Sequence, residues 1–171
     1  LLRGCTEHDT VVVAFAGHGF QLKGGGGHGF ATADTTLEDP ASMLALSEVY
    51  RELTDAKAKR KLLMVDACRD DPFRDSADHQ QLAASLDQRL KIDWPNSGNF
   101  VALFSCSESQ SAIEDRELNH GVFFHYVIKG LRGDAADKSG VVTADSLSAY
   151  VRPQVARHVE QKWKDAKQEP M

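Results

Sequence analysis

A histidine and a cysteine each follow directly on an apolar run of this sequence. His18 stands between two glycines after residues 11–16 (VVVAFA), and Cys68 ends residues 62–68 (LLMVDAC). A thiol acts as a nucleophile when a nearby base takes its proton and backbone N–H groups stabilise the resulting oxyanion. The two residues therefore predict nucleophilic cysteine chemistry, with His18 as the base and Cys68 as the attacking group.

Each residue alone also has an ordinary structural explanation. His18 would then be a loop histidine with satisfied hydrogen bonds, and Cys68 a small buried hydrophobic side chain. The position of both residues at the ends of predicted strands favours the catalytic interpretation. Glycines on both sides of His18 let a substrate approach the backbone closely, and the N–H of Gly19 is placed to face a developing oxyanion.

The elements that must position these residues follow from hydrophobic patterning. The apolar, β-branched run at 11–16 predicts a strand that is buried on both faces. Further strands are predicted at 61–65 and 100–104, a hairpin with its tip at 24–27, and a second hairpin around Gly140. Helices are predicted at 46–58 with Ser47 as N-cap, at 120–131, and at 146–162 with an interruption at Pro153.

Strands that alternate with helices predict an α/β three-layer sandwich with a mostly parallel sheet. Ligands gather at the carboxyl ends of strands in such sheets, so His18 and Cys68 would face one crevice if their strands are neighbours. The polar stretch at about 70–98 is long for a simple connection, which favours a functional or cleavable loop.

The composition excludes several classes of protein. The 171 residues predict one domain over 1–171, with 42% hydrophobic and 26% charged residues. A net charge of −5 argues against a nucleic-acid partner. No run of about 18 apolar residues is present, so no membrane association is expected. The three cysteines are too few for a disulfide framework, and we expect a cytoplasmic location.

Several segments together carry a resemblance to a known family. The residue before Cys68 and the interval of about 50 residues back to His18 are similar to the caspase nucleophile signature. The sequence resembles the bacterial caspase-like peptidases of the metacaspase and orthocaspase branch over nearly its whole length. The matching segments are FAGHG (15–19), KLLMVDACRDDPF (61–73), FVALFSCSESQSAIED (100–115), HGVFFHYVIKGLRGDA (120–135) and GVVTADSLSAYV (140–151).

The resemblance implies a caspase-like fold and a cysteine endopeptidase with a His18/Cys68 dyad. Cys68 would attack the scissile carbonyl, and His18 would protonate the leaving amine. The backbone N–H groups of Gly19 and Cys68 would form the oxyanion hole. Asp66, two residues before the nucleophile, would bind the Arg or Lys side chain of a peptide or protein substrate and repel an acidic one.

The same resemblance implies that the chemistry needs no cofactor. Many metacaspases require calcium as an activator; Asp75 and Asp78 are the candidate ligands here, and a solvated run of charges is the favoured alternative for these two residues. The family core carries a strand–helix–strand unit before the Gly-His-Gly strand. We therefore expect a missing N-terminal segment or partner domain, and an exposed edge of the sheet.

Two alternatives to a peptidase stay open. The first is a catalytically inactive caspase-like fold that serves as a signalling or scaffold module. The second is a cysteine phosphatase, because Cys68 to Arg74 fits the Cys-x5-Arg spacing. Nearby acidic residues disfavour the second, since a phosphate dianion requires backbone donors rather than carboxylates.

Overall fold

The structure is a computed structural model that describes residues 2–21, 27–36, 42–69 and 100–171. Four sequence-based predictions fall wholly or mostly outside the described residues. They are the hairpin tip at 24–27, the long loop at about 70–98, the candidate calcium ligands Asp75 and Asp78, and the Arg74 of the phosphatase spacing.

The described elements follow one another from a short 3-10 helix (Leu2–Gly4) to a long C-terminal helix. The strands are β1 (Thr10–Gly17), β2 (Gly19–Gln21), β3 (His28–Phe30), β4 (Leu44–Ala45), β5 (Arg60–Ala67), β6 (Phe100–Phe104), β7 (Glu114–Asp115) and β8 (His120–Gly121). The helices are α1 (Leu46–Asp55), α2 (Val122–Lys129), which continues as a π-helical segment (Gly130–Asp134), and α3 (Ala144–Lys162).

A parallel sheet of three described strands forms the centre of the molecule, with β5 between β1 and β6. Helix α1 packs on one face of this sheet, where Leu63 and Val65 of β5 are buried. Helices α2 and α3 pack on the opposite face, around Met64 and Leu103. Alternate residues of the strands thus supply two cores, because successive side chains of a strand point to opposite faces. The predicted α/β fold with a mostly parallel sheet is confirmed.

Strand β1 departs from its prediction, because it is buried on one face instead of two. Val11, Val13 and Phe15 contact the core beneath α1. Val12, on the other face, has 55% of its surface exposed. Among the described residues β1 is an edge strand, and the core around α2 and α3 includes side chains of β5 and β6 but none of β1. A continuous apolar run therefore did not mean burial on both faces here.

Helix α1 shows the predicted buried face, formed by Val49, Tyr50 and Leu53. The predicted N-cap is wrong, since Ser47 lies inside the first turn and Ala45 occupies the cap position without a side-chain hydrogen bond. The physical reason is the preceding strand: β4 pairs with β3 and runs directly into the helix. Sheet pairing thereby determines where α1 begins.

Helix α3 passes through Pro153 without the predicted interruption. A proline inside a helix costs about 3 kcal/mol, because it removes a backbone hydrogen bond and crowds the preceding turn. Two features offset this cost. The Thr143 hydroxyl accepts a hydrogen bond from the Ser146 N–H at 3.1 Å, which caps the helix start. Four fully buried residues hold α3 to the sheet: Leu147, Val151, Val155 and Val159.

The segments around α2 also differ from expectation. His120 and Gly121 form β8, antiparallel to β7, so the helix begins at Val122 instead of His120. No strand forms around Gly140 in the described residues 135–143, so the predicted hairpin there is wrong. That segment is a turn, in which the Asp137 carboxylate accepts hydrogen bonds from the backbone N–H groups of Ser139 and Val141. These local side-chain hydrogen bonds compete with strand pairing. Within the described residues, no helix is both long and apolar enough to cross a membrane.

Candidate active site

The register of the sheet brings His18 and Cys68 to neighbouring strand ends. Strands β1 and β5 run parallel and pair Ala16 with Asp66 and Gly17 with Ala67. His18 and Cys68 are the next residues on each side, one step beyond the last pair. Parallel strands end at the same edge of a sheet, which explains why residues 50 positions apart in the chain become neighbours.

Both residues line one cavity of about 380 Å³. This volume lies at the small end of the range typical of ligand sites. Its lining contains the two predicted catalytic residues and the predicted pocket acid. The lining residues are Ala16, Gly17, His18, Asp66, Cys68, Ala112, Ile113, Glu114, His120, Gly121 and Phe124.

The backbone around the two reactive side chains is anchored, whereas the side chains themselves face the cavity. The carbonyl of His18 accepts a hydrogen bond from the N–H of Ala31 at 2.9 Å, and the His18 side chain is exposed. The N–H of Arg69, next to Cys68, donates to the carbonyl of Gln110 at 3.0 Å. The Cys68 Sγ lies 4.0 Å from the carbonyl oxygen of Ala112. The thiol is therefore half-buried and accessible from the cavity.

Gly19 fits between these strand ends because it has no side chain. A Cβ at this position would lie 2.7 Å from the Cβ of Ala67 and 2.9 Å from the carbonyl oxygen of Cys68. Such distances are shorter than van der Waals contact, so only glycine permits this approach. The backbone of Gly19 consequently lies against the backbone of Cys68, its partner in the predicted oxyanion hole.

Asp66 forms a buried acidic part of the cavity wall, with 7% of its surface exposed. Burial raises the pKa of this carboxyl group to about 6, although the nearby Ser105 hydroxyl and the Phe124 N–H lower it. The Ser105 hydroxyl lies outside hydrogen-bonding geometry, and Asp66 Oδ1 has no partner among the described residues. Gly121 contacts Oδ2 so closely that no side chain fits between them. The carboxylate thus keeps an unused acceptor.

Two further ionisable residues of the cavity were not identified from the sequence. Glu114 and His120 lie on β7 and β8 and line the cavity with Asp66. Their charges shift the pKa of Asp66 in opposite directions: Glu114 raises it and His120 lowers it. No spacing rule connects Glu114 to the nucleophile, 46 positions earlier in the chain. Only the β7–β8 pairing places it in the cavity.

The β7–β8 hairpin is attached to α3 by an ionic cluster around the buried Asp115. Asp115 Oδ1 accepts a hydrogen bond from Lys162 Nζ at 2.7 Å, and Oδ2 lies 2.9 Å from His158 Nε2. The hydrogen bond from Lys162 lowers the pKa of Asp115 to about 2, and His158 contributes in the same direction. Tyr126 completes the cluster through its hydroxyl, 3.0 Å from His158 Nδ1. The wall that carries Glu114 is therefore fixed by charge pairing with a helix.

Cys106 is a structural cysteine. It is fully buried, and its thiol donates towards the carbonyl oxygens of Ala67 and Gln110 at 3.4 and 3.3 Å. Burial raises its thiol pKa to about 12, so it is not a nucleophile at neutral pH. Among the described cysteines, Cys68 alone lines the cavity.

The part of the chain that the structure describes contains no group of three or more His, Cys, Asp or Glu side chains able to hold a metal ion. The candidate calcium ligands Asp75 and Asp78 lie outside that part. A calcium requirement therefore stays a prediction from the resemblance.

Comparison with known proteins gives one match that covers nearly the whole chain. The family model of the caspase domain matches residues 2–171, a range that includes β1, β5 and the β7–β8 hairpin. No curated protein matches the chain. The match agrees with the geometry, since it spans every element that contributes to the cavity.

Proposed function

The chain belongs to the caspase family of cysteine peptidases, and we propose that it is an endopeptidase that cleaves after Arg or Lys. One observation carries this proposal: the cavity lined by Cys68 and His18 is also lined by a buried carboxylate, Asp66, whose Oδ1 has no hydrogen-bond partner among the described residues. The nucleophile and the specificity group thereby share one substrate site.

The proposed reaction uses Cys68 and His18 in two steps. In acylation, the thiol proton passes to His18 as Cys68 Sγ attacks the scissile carbonyl, and the oxyanion is held by the backbone N–H groups of Gly19 and Cys68. The tetrahedral intermediate then collapses to a thioester, and His18 returns the proton to the leaving amine. In deacylation, His18 takes a proton from water as the water oxygen attacks the thioester, and the protonated His18 then returns that proton to the departing Cys68 sulfur.

Asp66 and Glu114 supply the proposed preference for a basic side chain. A guanidinium or ammonium group in the cavity would donate a charge-assisted hydrogen bond to the Asp66 carboxylate. Glu114 adds a second negative charge to the same cavity. An acidic side chain would face the buried Asp66 carboxylate and the more exposed Glu114, and such a like-charge contact is unfavourable by several kcal/mol.

The preference for basic residues also motivates placement in the metacaspase and orthocaspase branch, which is part of this proposal. The chemistry described above uses only side chains, backbone N–H groups and water, so it needs no cofactor. Calcium activation is a separate expectation, which the assay below includes.

The test is hydrolysis of two fluorogenic peptides that differ only in the residue before the cleaved bond, Arg in one and Asp in the other. Each is measured with calcium and with a chelator. We expect cleavage of the Arg peptide alone, its loss in Cys68→Ala, and normal activity in the matched control Cys5→Ala. Cys5 lies in the first described turns, outside the cavity.

The other outcomes of this assay contradict separate parts of the proposal. Cleavage of the Asp peptide would retain the dyad and overturn the role of Asp66. Cleavage that survives Cys68→Ala would overturn the dyad. If neither peptide is cleaved under any condition, the chain is better explained as an inactive caspase-like module.

A further inference from the structure

Behind the two catalytic strand ends lies a buried histidine that the mechanism above does not use. His28, on β3, has 2% of its surface exposed. Neither ring nitrogen has a hydrogen-bond partner among the described residues. The ring packs between Phe30 and Phe104, at centroid distances of 4.9 and 5.9 Å. An apolar side chain would be less costly to bury here, so an unpaired imidazole points to a role in function.

The His28 ring lies against the backbone of both strand ends. A Cβ built on Gly19 would be 3.2 Å from His28 Nε2 and 2.9 Å from the Cys68 carbonyl oxygen. Both atoms therefore lie against the backbone of Gly19. Burial and the charge of Arg69 lower the pKa of His28 to about 4, while the Cys68 carbonyl raises it. The ring is thus neutral at neutral pH and carries one N–H donor.

We propose that His28 is a positioning residue for the peptidase reaction, whose ring N–H donates to the Cys68 backbone carbonyl when substrate fills the cavity. The ring nitrogen and the Cys68 carbonyl oxygen both lie against the backbone of Gly19, so a shift of the Cys68 backbone towards the ring would close the bond. That bond would fix the direction in which the Cys68 thiol points. This inference rests on the proposed function, because it assigns a role within the same site.

A matched pair of variants tests the donor. His28→Leu and His28→Gln replace the ring by side chains of similar volume, and only glutamine keeps an N–H group near the position of Nε2. We expect His28→Leu to melt at or above the wild-type temperature while kcat for the Arg peptide falls about ten- to hundredfold. KM should stay within about twofold, because the substrate pocket is untouched.

His28→Gln should keep kcat within about threefold of wild type, because it restores the donor. His8→Leu is the control for removal of a histidine: its side chain is 87% exposed, and it should change neither kcat nor melting temperature. The inference is overturned if His28→Leu retains wild-type kcat. It is also overturned if both His28 variants lose activity equally, or in proportion to a lower melting temperature.

Failure of the proposed function is recognised separately. If the wild type cleaves no peptide, the rate of iodoacetamide alkylation of Cys68, followed by mass spectrometry, replaces kcat as the readout. A rate in His28→Leu that differs at least about threefold from wild type, with a normal rate in His28→Gln, supports the positioning role. Equal rates in all three proteins overturn it.

Discussion

At the scale of single residues, Asp66 combines a proposed binding role with a cost in stability. Its folded pKa of about 6 lies above the ordinary value of 3.8, because burial disfavours the charged form. At neutral pH the ionised group therefore destabilises the folded state by about 3 kcal/mol. A cationic substrate side chain beside the carboxylate would offset part of this cost, and this gain would increase the affinity of the site for basic side chains.

The first prediction concerns activity of Asp66→Asn. The variant keeps the shape of the side chain and removes its charge, so kcat/KM for the Arg peptide should fall about a hundredfold. The measurement is steady-state kinetics. Glu114→Gln is the comparison, and its loss should be smaller because Glu114 is more exposed and better solvated. Equal activity of Asp66→Asn and wild type would disprove the pocket role.

The second prediction concerns the stability of the same variant as a function of pH. A raised carboxyl pKa means that the folded state binds the proton more tightly than the unfolded state between pH 3.8 and about 6. Wild-type stability should therefore fall as pH rises through this window. Asp66→Asn lacks this cost. Its free energy of unfolding in urea should therefore exceed that of wild type by about 3 kcal/mol near neutral pH, and this advantage should shrink towards about pH 4. An advantage that does not change with pH would contradict the prediction.

At the scale of elements, the candidate site depends on two pairings that bring distant segments together. The parallel pairing of β1 with β5 places His18 beside Cys68, and the β7–β8 pairing adds Glu114. Glycine at position 19 makes the first arrangement possible, because the strand ends leave no room for a Cβ. The site is therefore built on strands and their immediate ends, which are rigid supports for catalytic groups.

The third prediction concerns α3, in which Pro153 occupies an exposed interior position. Pro153→Ala restores a backbone hydrogen bond and removes the clash with the preceding turn. We expect it to raise the free energy of unfolding by about 1–3 kcal/mol, part of the gain being offset by a more flexible unfolded chain. Urea unfolding measures the change, and peptide hydrolysis should be unaltered. Unchanged or lower stability would show that α3 is adapted to the proline.

At the scale of the whole molecule, one ionic cluster connects the site to the C-terminal helix. Asp115 belongs to the hairpin that lines the cavity, and His158 and Lys162 belong to α3 on the outer layer. Removal of Lys162 or His158 leaves the buried Asp115 carboxylate short of a partner, which costs more free energy than the intact pair contributes. The position of the cavity wall is thereby coupled to the packing of the helix.

The fourth prediction follows from this coupling. Asp115→Asn should lower the melting temperature and raise KM for the Arg peptide, because the hairpin loses its attachment to α3. The folded pKa of Asp115 is about 2, below the ordinary 3.8, so its stabilisation is present above pH 3.8 and is lost as pH falls towards 2. Thermal unfolding at several pH values should show the variant and wild type converging in acid.

Two lysine variants complete the test of the cluster. Lys162→Gln should reproduce the effects of Asp115→Asn, since it removes the other half of the pair. The exposed Lys164→Gln, two residues later, should change neither stability nor KM. A normal KM in both cluster variants, despite lower stability, would show that the cluster supports the fold without supporting the site.

The local sequence pattern was sufficient to predict the strands of the central sheet and to place His18 near Cys68. Apolar runs marked β1, β5 and β6, and parallel strands end at a common edge, so two residues at strand ends could be placed together. The roles assigned to His18, Gly19, Cys68 and Asp66 stay predictions that the assays above test.

Long-range packing decided the remaining features. Glu114, His28 and Asp115 carry no local signal, because each acquires its surroundings from an element far away in the chain. The one-sided burial of β1 depends on which strands the helices cover, and the continuity of α3 through Pro153 depends on core contacts that outweigh a local penalty. Propensity and periodicity describe a segment alone, whereas burial and charge are properties of what packs against it.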